Sequence, residues 1–166
     1  AVGRGLIIMD TGKAPKWPHD KTSHAAPLAF EMSYGRERII VNCGSHPTQA
    51  DWQDMLRFTA AHSTLTIDDR NAYEIHKDGS LSRKAKKVSM DREDKIDACL
   101  IDAVHDGYVP VNGITHRRRL YYADQGNDLR GEDTLECTTG LSKSHDVTVR
   151  FHLHPKVSVS LVKEDQ

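Results

Sequence analysis

No run of about 18 apolar residues occurs anywhere in the 166-residue chain, so the sequence encodes no membrane-spanning helix. Neither sign of charge is in excess, with 23 Lys and Arg against 24 Asp and Glu and a formal net charge of -1. That balance supplies no global field for nucleic acid or an anionic membrane surface, and neither is expected as a partner. Cysteine is scarce. Cys43, Cys99 and Cys137 are widely spaced and form no CxxC pair, which argues against a disulfide framework and against a thiolate zinc cluster. Buried, unreactive thiols are the expectation. The opening AVGRGLIIMD lacks an initiator Met and the basic, apolar and small-residue regions of a signal peptide. The chain is therefore expected to be a piece of a longer protein.

What the sequence does have is alternation. In DVTVRFHLHPKVSVSLV, Val147, Val149, Phe151 and Leu153 fall on one face, expected to point inward, with Thr148, Arg150, His152 and His154 on the other. Val157, Val159 and Leu161 resume the pattern after Pro155. Similar runs occur at LAFEMS, RERIIVN, STLTID, ACLIDAVHDGY, THRRRLYYAD and DLRGEDTLECTT. Turn chemistry separates them at Tyr34-Gly35, Lys77-Asp78-Gly79, Asn112-Gly113 and Gln125-Gly126-Asn127. One short helix is expected within PTQADWQDMLRF, capped by Thr48 or Asp51. The charged stretch KDGSLSRKAKKVSMDREDK reads as an exposed loop or hairpin tip. Roughly eight to eleven strands at this spacing imply an all-β fold, a two-layer antiparallel β-sandwich forming a single domain over residues 1–166.

Several residues could carry chemistry. His24 and His62 read either as buried imidazoles bonded to the backbone or Asn42, or as ligands of a metal. His152-x-His154 has i, i+2 spacing and shares one strand face, but no nearby glutamate completes a metal set, so solvated histidines are expected. Arg117, Arg119 and Tyr121 share a face opposite Arg118, and guanidinium forks with a tyrosine ring suit an acidic sugar chain. The competing reading pairs the arginines across strands with Asp128, Glu132 and Asp133. His105 and Tyr108 are residue types fit for acid–base work, with a turn-and-packing role favoured.

The segments SHAAPLAFEMSYGRERIIVNCG, LRFTAAHSTLTIDD, HDGY…GITHRRRLYYADQGNDLRGEDTL and VRFHLHP together resemble the C-terminal β-domain of heparinase II/III-like polysaccharide lyases. The resemblance runs from Gly5 to Leu161, is most specific from His105 to Leu135, and is to the uncharacterised bacterial branch. It implies an N-terminal α/α toroid outside this chain, with an acidic polysaccharide such as a glycosaminoglycan held between toroid and sandwich. It also implies β-elimination at uronic acid residues, with the acid/base tyrosine on the toroid, and a periplasmic or cell-envelope setting. In members with zinc, a His-x-His pair opens the first strand; here His24 falls at the ligand position and Thr22 where a substrate-facing histidine would be. Asn42 falls where the family has an aspartate ligand, and His62 at the third ligand. The implied zinc site is thus His24, Asn42 and His62, with His46 as a further candidate and Cys43 only if the pairing slipped by one residue. The resemblance leaves the catalytic residues of this chain unassigned. The isolated chain is expected to lack lyase activity. The alternative reading is a non-catalytic carbohydrate-binding or scaffolding β-domain. His24 is expected to start the first hairpin strand and His62 a neighbouring strand, their imidazoles converging near Asn42.

Overall fold

The computed structural model describes residues 3–46, 48–124, 128–138, 140 and 144–160. Its strands are β1 (Gly5–Met9), β2 (Phe30–Tyr34), β3 (Glu37–Val41), β4 (Leu65–Ile67), β5 (Glu74–Ile75), β6 (Leu81–Ser82), β7 (Val88–Asp94), β8 (Ala98–His105), β9 (Ile114–Ala123), β10 (Asp128–Cys137), β11 (Val147–Val149) and β12 (His152–Leu153). Helix α1 spans Ala50–Leu56, a 3₁₀ turn spans Thr59–Ala61, and α2 spans Val109–Asn112. The strands form two four-stranded sheets, β1-β2-β3-β12 and β10-β9-β8-β7, with small sheets β11-β4 and β5-β6 beside them. The pairing within both large sheets is antiparallel. This is the two-layer sandwich that the alternation implies.

One face of each large sheet builds the core. β2 contributes Phe30 and Met32, β9 contributes Leu120 and Tyr122, and Ile7, Met9, Ile40, Cys99 and Leu129 pack around them. Each large side chain so buried stabilises the fold by about 1.5–3 kcal/mol. The Tyr122 ring lies so close to Gly5 that a Cβ there would overlap it, which is why β1 opens on glycine. A second cluster, including Leu65, Ile67, Tyr73, Leu81, Tyr108 and Ile114, lies under β4 and α2. Strand β9 joins the two: its inward row is Ile114, His116, Arg118, Leu120 and Tyr122, all buried. The ends of that row are apolar and its middle is polar.

Several expectations need correction. The stretch 77–95, expected as an exposed loop or hairpin tip, is that only in part: it opens with the turn between β5 and β6, but it also holds β6 and the edge strand β7, whose residues after Val88 are exposed. An edge strand can be charged on both faces, and such charge keeps it from pairing with other chains. Val147, Val149, Phe151 and Leu153, expected inward, are 44%, 40%, 51% and 39% exposed. The chain changes sheet between β11 and β12, and both strands sit at the periphery, where Arg150 and His152 turn in to meet polar partners instead. Beyond β12 no further strand occurs through residue 160, and Leu161 lies outside the described residues. Helix α1 has Gln49 at its N-cap position with no side-chain hydrogen bond, so neither Thr48 nor Asp51 caps it. The turns at Gly35, Gly79 and Gly113 all have left-handed backbone, with φ of 61°, 83° and 68°, whereas Gln125-Gly126-Asn127 lies outside the described residues. Cys43 and Cys137 are exposed and Cys99 half-buried, against the expectation of buried thiols.

Candidate functional site

His24 and His62 approach through loops, not as strand starts. His24 stands six residues before β2, and His62 closes the 3₁₀ turn ahead of β4. Their convergence is nevertheless as the register implies: His24 Nδ1 lies 2.7 Å from His62 Nε2, with ring centroids 4.9 Å apart. The tautomers follow from the partners. His62 Nδ1 is 2.8 Å from the Phe58 carbonyl, which can only accept, so Nδ1 carries the proton and Nε2 a lone pair. His24 Nδ1 must then donate to that lone pair, which leaves His24 Nε2 as an acceptor. Burial lowers both imidazoles, His62 to about 4, with the Arg57 guanidinium a further cause at His24. Both rings are neutral at pH 7.

The two arms are fixed by buried polar groups. Arg57 spends its guanidinium on the carbonyls of Ser23, Asp20 and Gly79. Ser63, fully buried beside His62, uses every polar atom: its amide donates to Asn42 Oδ1 at 2.8 Å and its hydroxyl donates to the Val41 carbonyl. That hydroxyl also accepts from the His152 amide, and the Ser63 carbonyl accepts from Arg118 Nη1 at 2.8 Å. Arg118 reaches the Leu28 carbonyl as well, at 3.1 Å. Leu28 has a left-handed backbone (φ 57°), an uncommon state for a bulky residue and one that these bonds hold in place.

Behind Arg118 runs an ordered relay. Gly107 N–H donates to His105 Nδ1 (3.0 Å), His105 Nε2 to His116 Nδ1 (3.1 Å), and His116 Nε2 to Asp133 Oδ1 (2.7 Å). Arg118 grips Asp133 with a two-point fork at 2.7 and 2.8 Å. Burial works to raise Asp133, but the bonds from His116 and Arg118 overcome it and hold its carboxyl at about 2. Burial, with the His116 and Arg118 charges, pushes His105 well below its ordinary value. His116 is lowered by burial against the opposing pull of Asp133. His105 and Tyr108 are both buried, and the Tyr108 hydroxyl donates to the Leu65 carbonyl.

Around the histidine pair opens a cleft of about 350 Å³, lined by Asp10, His24, Glu31, Asn42 and His62 with Ile8 and Met9. A smaller cleft of about 210 Å³ shares Asp10 and His24 and adds Lys13, Ser23 and Tyr73. Arg117, Arg119 and Tyr121 are elsewhere, on the outer face of the second sheet. Arg117 pairs with Asp102 at 2.5 Å and Arg119 with Glu132 at 3.3 Å, while Asp128 takes Arg130 at 2.6 Å. Thr22 is exposed in a turn. His46 turns away to accept the amides of Thr48 and Gln49. His152 is not solvated as expected: Nε2 donates to the Ala60 carbonyl, and Nδ1 faces Cys43 Sγ at 3.7 Å. His154 accepts the Lys156 amide.

The set implied for zinc does not fit the ion. Two nitrogens on one tetrahedral zinc, with bonds of about 2.0–2.1 Å, stand about 3.3 Å apart; the observed 2.7 Å is a hydrogen bond. Asn42 gives its carbonyl oxygen to Ser63 and its amide to Glu31 Oε1. Among the described residues no group of three or more His, Cys, Asp or Glu side chains is placed to hold a metal. Sequence reasoning missed Asp10, Glu31 and Ser63. Glu31 is on the outward side of β2 by period two, but only the fold sets it beside Asn42, and Asp10 and Ser63 carry no spacing signal.

A family model described as heparinase II/III-like, C-terminal, matches residues 1–166. Among curated proteins, FtsZ-localized protein C of Caulobacter vibrioides (strain NA1000 / CB15N) is 32% identical over 172 residues, covering 95% of this chain and 30% of that protein. Among solved structures, a heparinase III superposes with a TM-score of 0.68 at 16% identity, over 94% of this chain and 22% of that one. Heparan sulfate lyase HepC from Pedobacter heparinus gives 0.53 at 16% identity, over 73% and 17%. At these identities the structural likeness establishes the fold, and the chain spans less than a third of each relative.

Proposed function

The chain belongs to the heparinase II/III-like C-terminal family, and from that premise we propose that it is the β-sandwich module of a polysaccharide lyase. It forms one wall of a cleft in which an acidic polysaccharide is cleaved by β-elimination at uronic acid residues. The observation that carries this reading is the cleft built on the His24–His62 hydrogen bond, where His24 Nε2 stands as an oriented acceptor. Elimination needs a base for the C5 proton, an acid for the departing 4-oxygen and a group that neutralises the carboxylate. The cleft offers one imidazole and two carboxylates, so the acid and the carboxylate-neutralising group belong to a partner domain, the N-terminal toroid of a longer protein. Arg117, Arg119 and Tyr121, already paired on the far face, are not assigned to this cleft. The test uses the longer protein with its own sequence: release of unsaturated uronide from heparin, heparan sulfate or alginate, lost or strongly reduced in His24→Ala. No turnover of any acidic polysaccharide by the longer protein refutes the lyase reading.

A second reading is a non-catalytic carbohydrate-binding or scaffolding β-domain. Thr22 at the position of a substrate-facing histidine, and Asn42 tied to Ser63, favour it. The curated relative is named for localisation with FtsZ, and a scaffold role at such a site suits a module without its own chemistry.

A further inference from the structure

We infer that the open edge of β11 and β12 is a self-association surface, on which a second copy of this chain adds its own β11–β12 edge in antiparallel order. The edge itself selects that occupant, because its sequence complements itself in one register. Lyase turnover plays no part in this pairing.

β11 pairs with β4, and β12 closes the sheet β1-β2-β3-β12, so among the described residues no strand lies along the far side of residues 147–153. The near side is bonded through the even positions. Asp68 N–H donates to the Asp146 carbonyl, Arg150 N–H to the Thr64 carbonyl, His152 N–H to Ser63 Oγ and His154 N–H to the Ile39 carbonyl. Backbone groups alternate sides along an antiparallel strand, so those of Val147, Val149, Phe151 and Leu153 point to the open edge. The same four residues form the exposed apolar row. Residues 147–153 contain no proline, lysine or acid to guard the edge, whereas the edge strand β7 carries Asp91, Arg92, Glu93 and Asp94. An added strand therefore gains ladder hydrogen bonds and apolar contact together.

Charge chooses the register. With the two-fold axis at Arg150, that guanidinium would face its own copy, and with the axis at Phe151, Arg150 would face His152. With the axis at Val149, Val149 meets Val149 and Val147 meets Phe151 on the apolar face, each pair exchanging backbone bonds. On the polar face Thr148 then meets Arg150. The exposed Asp146 lies opposite His152 and diagonal to Arg150 of the second copy, within reach of that long side chain. Arg150 Nη1 holds Thr66 Oγ1 at 2.8 Å, but Nη2 stands 3.9 Å from the exposed Asp69, so one arm of the fork is left for Asp146. An edge this short buries an area at the low end for a specific interface, so the dimer is weak and concentration-dependent.

Sedimentation velocity on the purified chain, from low micromolar to near-millimolar concentration, is expected to show a reversible monomer–dimer equilibrium. The longer protein with its own sequence is expected to show the same one. Val149→Lys sets two ammonium groups face to face on the axis and should weaken the dimer roughly tenfold or more. Asp146→Lys and Arg150→Glu should each weaken it severalfold, because each brings like charges together twice. Mixed in equal amounts, these two variants should recover the wild-type association, since each supplies the charge that the other's edge lacks. Hydrogen exchange read by NMR should show the amides of Val147, Val149 and Phe151 slowing as concentration rises, which a folding defect would not mimic. A chain that stays monomeric throughout overturns the inference. So does a dimer indifferent to Val149→Lys, or a mixture that associates no better than either variant alone. A dimer of the isolated chain that the longer protein does not form overturns it as well, and assigns the edge to another part of that protein.

Discussion

Lowering the pH from 7 to 5 should weaken the fold through histidines that are buried in the neutral form. His62, His105 and His116 are buried, and each is lowered from its ordinary value near 6.5. The unfolded chain then binds more protons than the folded one, so stability rises with pH across this range. It is intact above about 6.5, is lost as the pH falls, and for His62 levels off below about 4. Each proton taken up only on unfolding gives a slope of about 1.4 kcal/mol per pH unit. At pH 5 His62 alone has cost about 2 kcal/mol, and His105 and His116, both lowered chiefly by burial, act in the same direction. A loss of about 2 kcal/mol from His62 alone is already large against a typical domain stability of about 5–15 kcal/mol. Asp133, held at about 2, works in another window: its stabilisation is present above about 4 and fades as the pH falls through about 2. Urea unfolding at pH 7, 6 and 5 measures the slope. His105→Gln, which cannot titrate, should lower it by about one proton. A wild-type stability that changes by less than about 1 kcal/mol between pH 7 and 5 refutes the assignment of neutral buried histidines.

Asp133→Ala should cost about 3–5 kcal/mol in urea unfolding, because it strands the buried Arg118 charge and the His116 donor. Arg117→Ala, one strand position away but 42% exposed, should cost less than about 1 kcal/mol; equal losses would contradict the inward and outward assignment. Elemental analysis of the chain purified without chelators should find no stoichiometric zinc. His24→Ala should cost about 1–3 kcal/mol by removing the donor to His62 Nε2, and stoichiometric zinc lost in that variant would restore the metal reading.

Much of the architecture was legible in residues 114–137. Ten residues of β9 alternate without a break, so Arg118 had to face opposite Arg117 and Arg119, and the acidic residues of β10 had to lie across from them. The identical alternation in residues 147–153 misled, because period two tells which residues share a face but not whether another layer covers it. β7 was hidden for the converse reason: an edge strand exposed on both faces needs no apolar period.

The sequence by itself determined the strand period, through local spacing, and the family, through its motifs; the pairing of His24 with His62 was implied by the family resemblance. Only the tertiary structure decided what the histidines meet for. The 2.7 Å between their nitrogens comes from two loops that Arg57, Ser63 and Arg118 anchor through contacts 21 to 90 residues apart in the chain. Whether Asn42 faces a metal or a backbone amide, and whether Asp10 and Glu31 share a cleft with His24, are matters of ångströms between segments whose order along the chain carries no record of them.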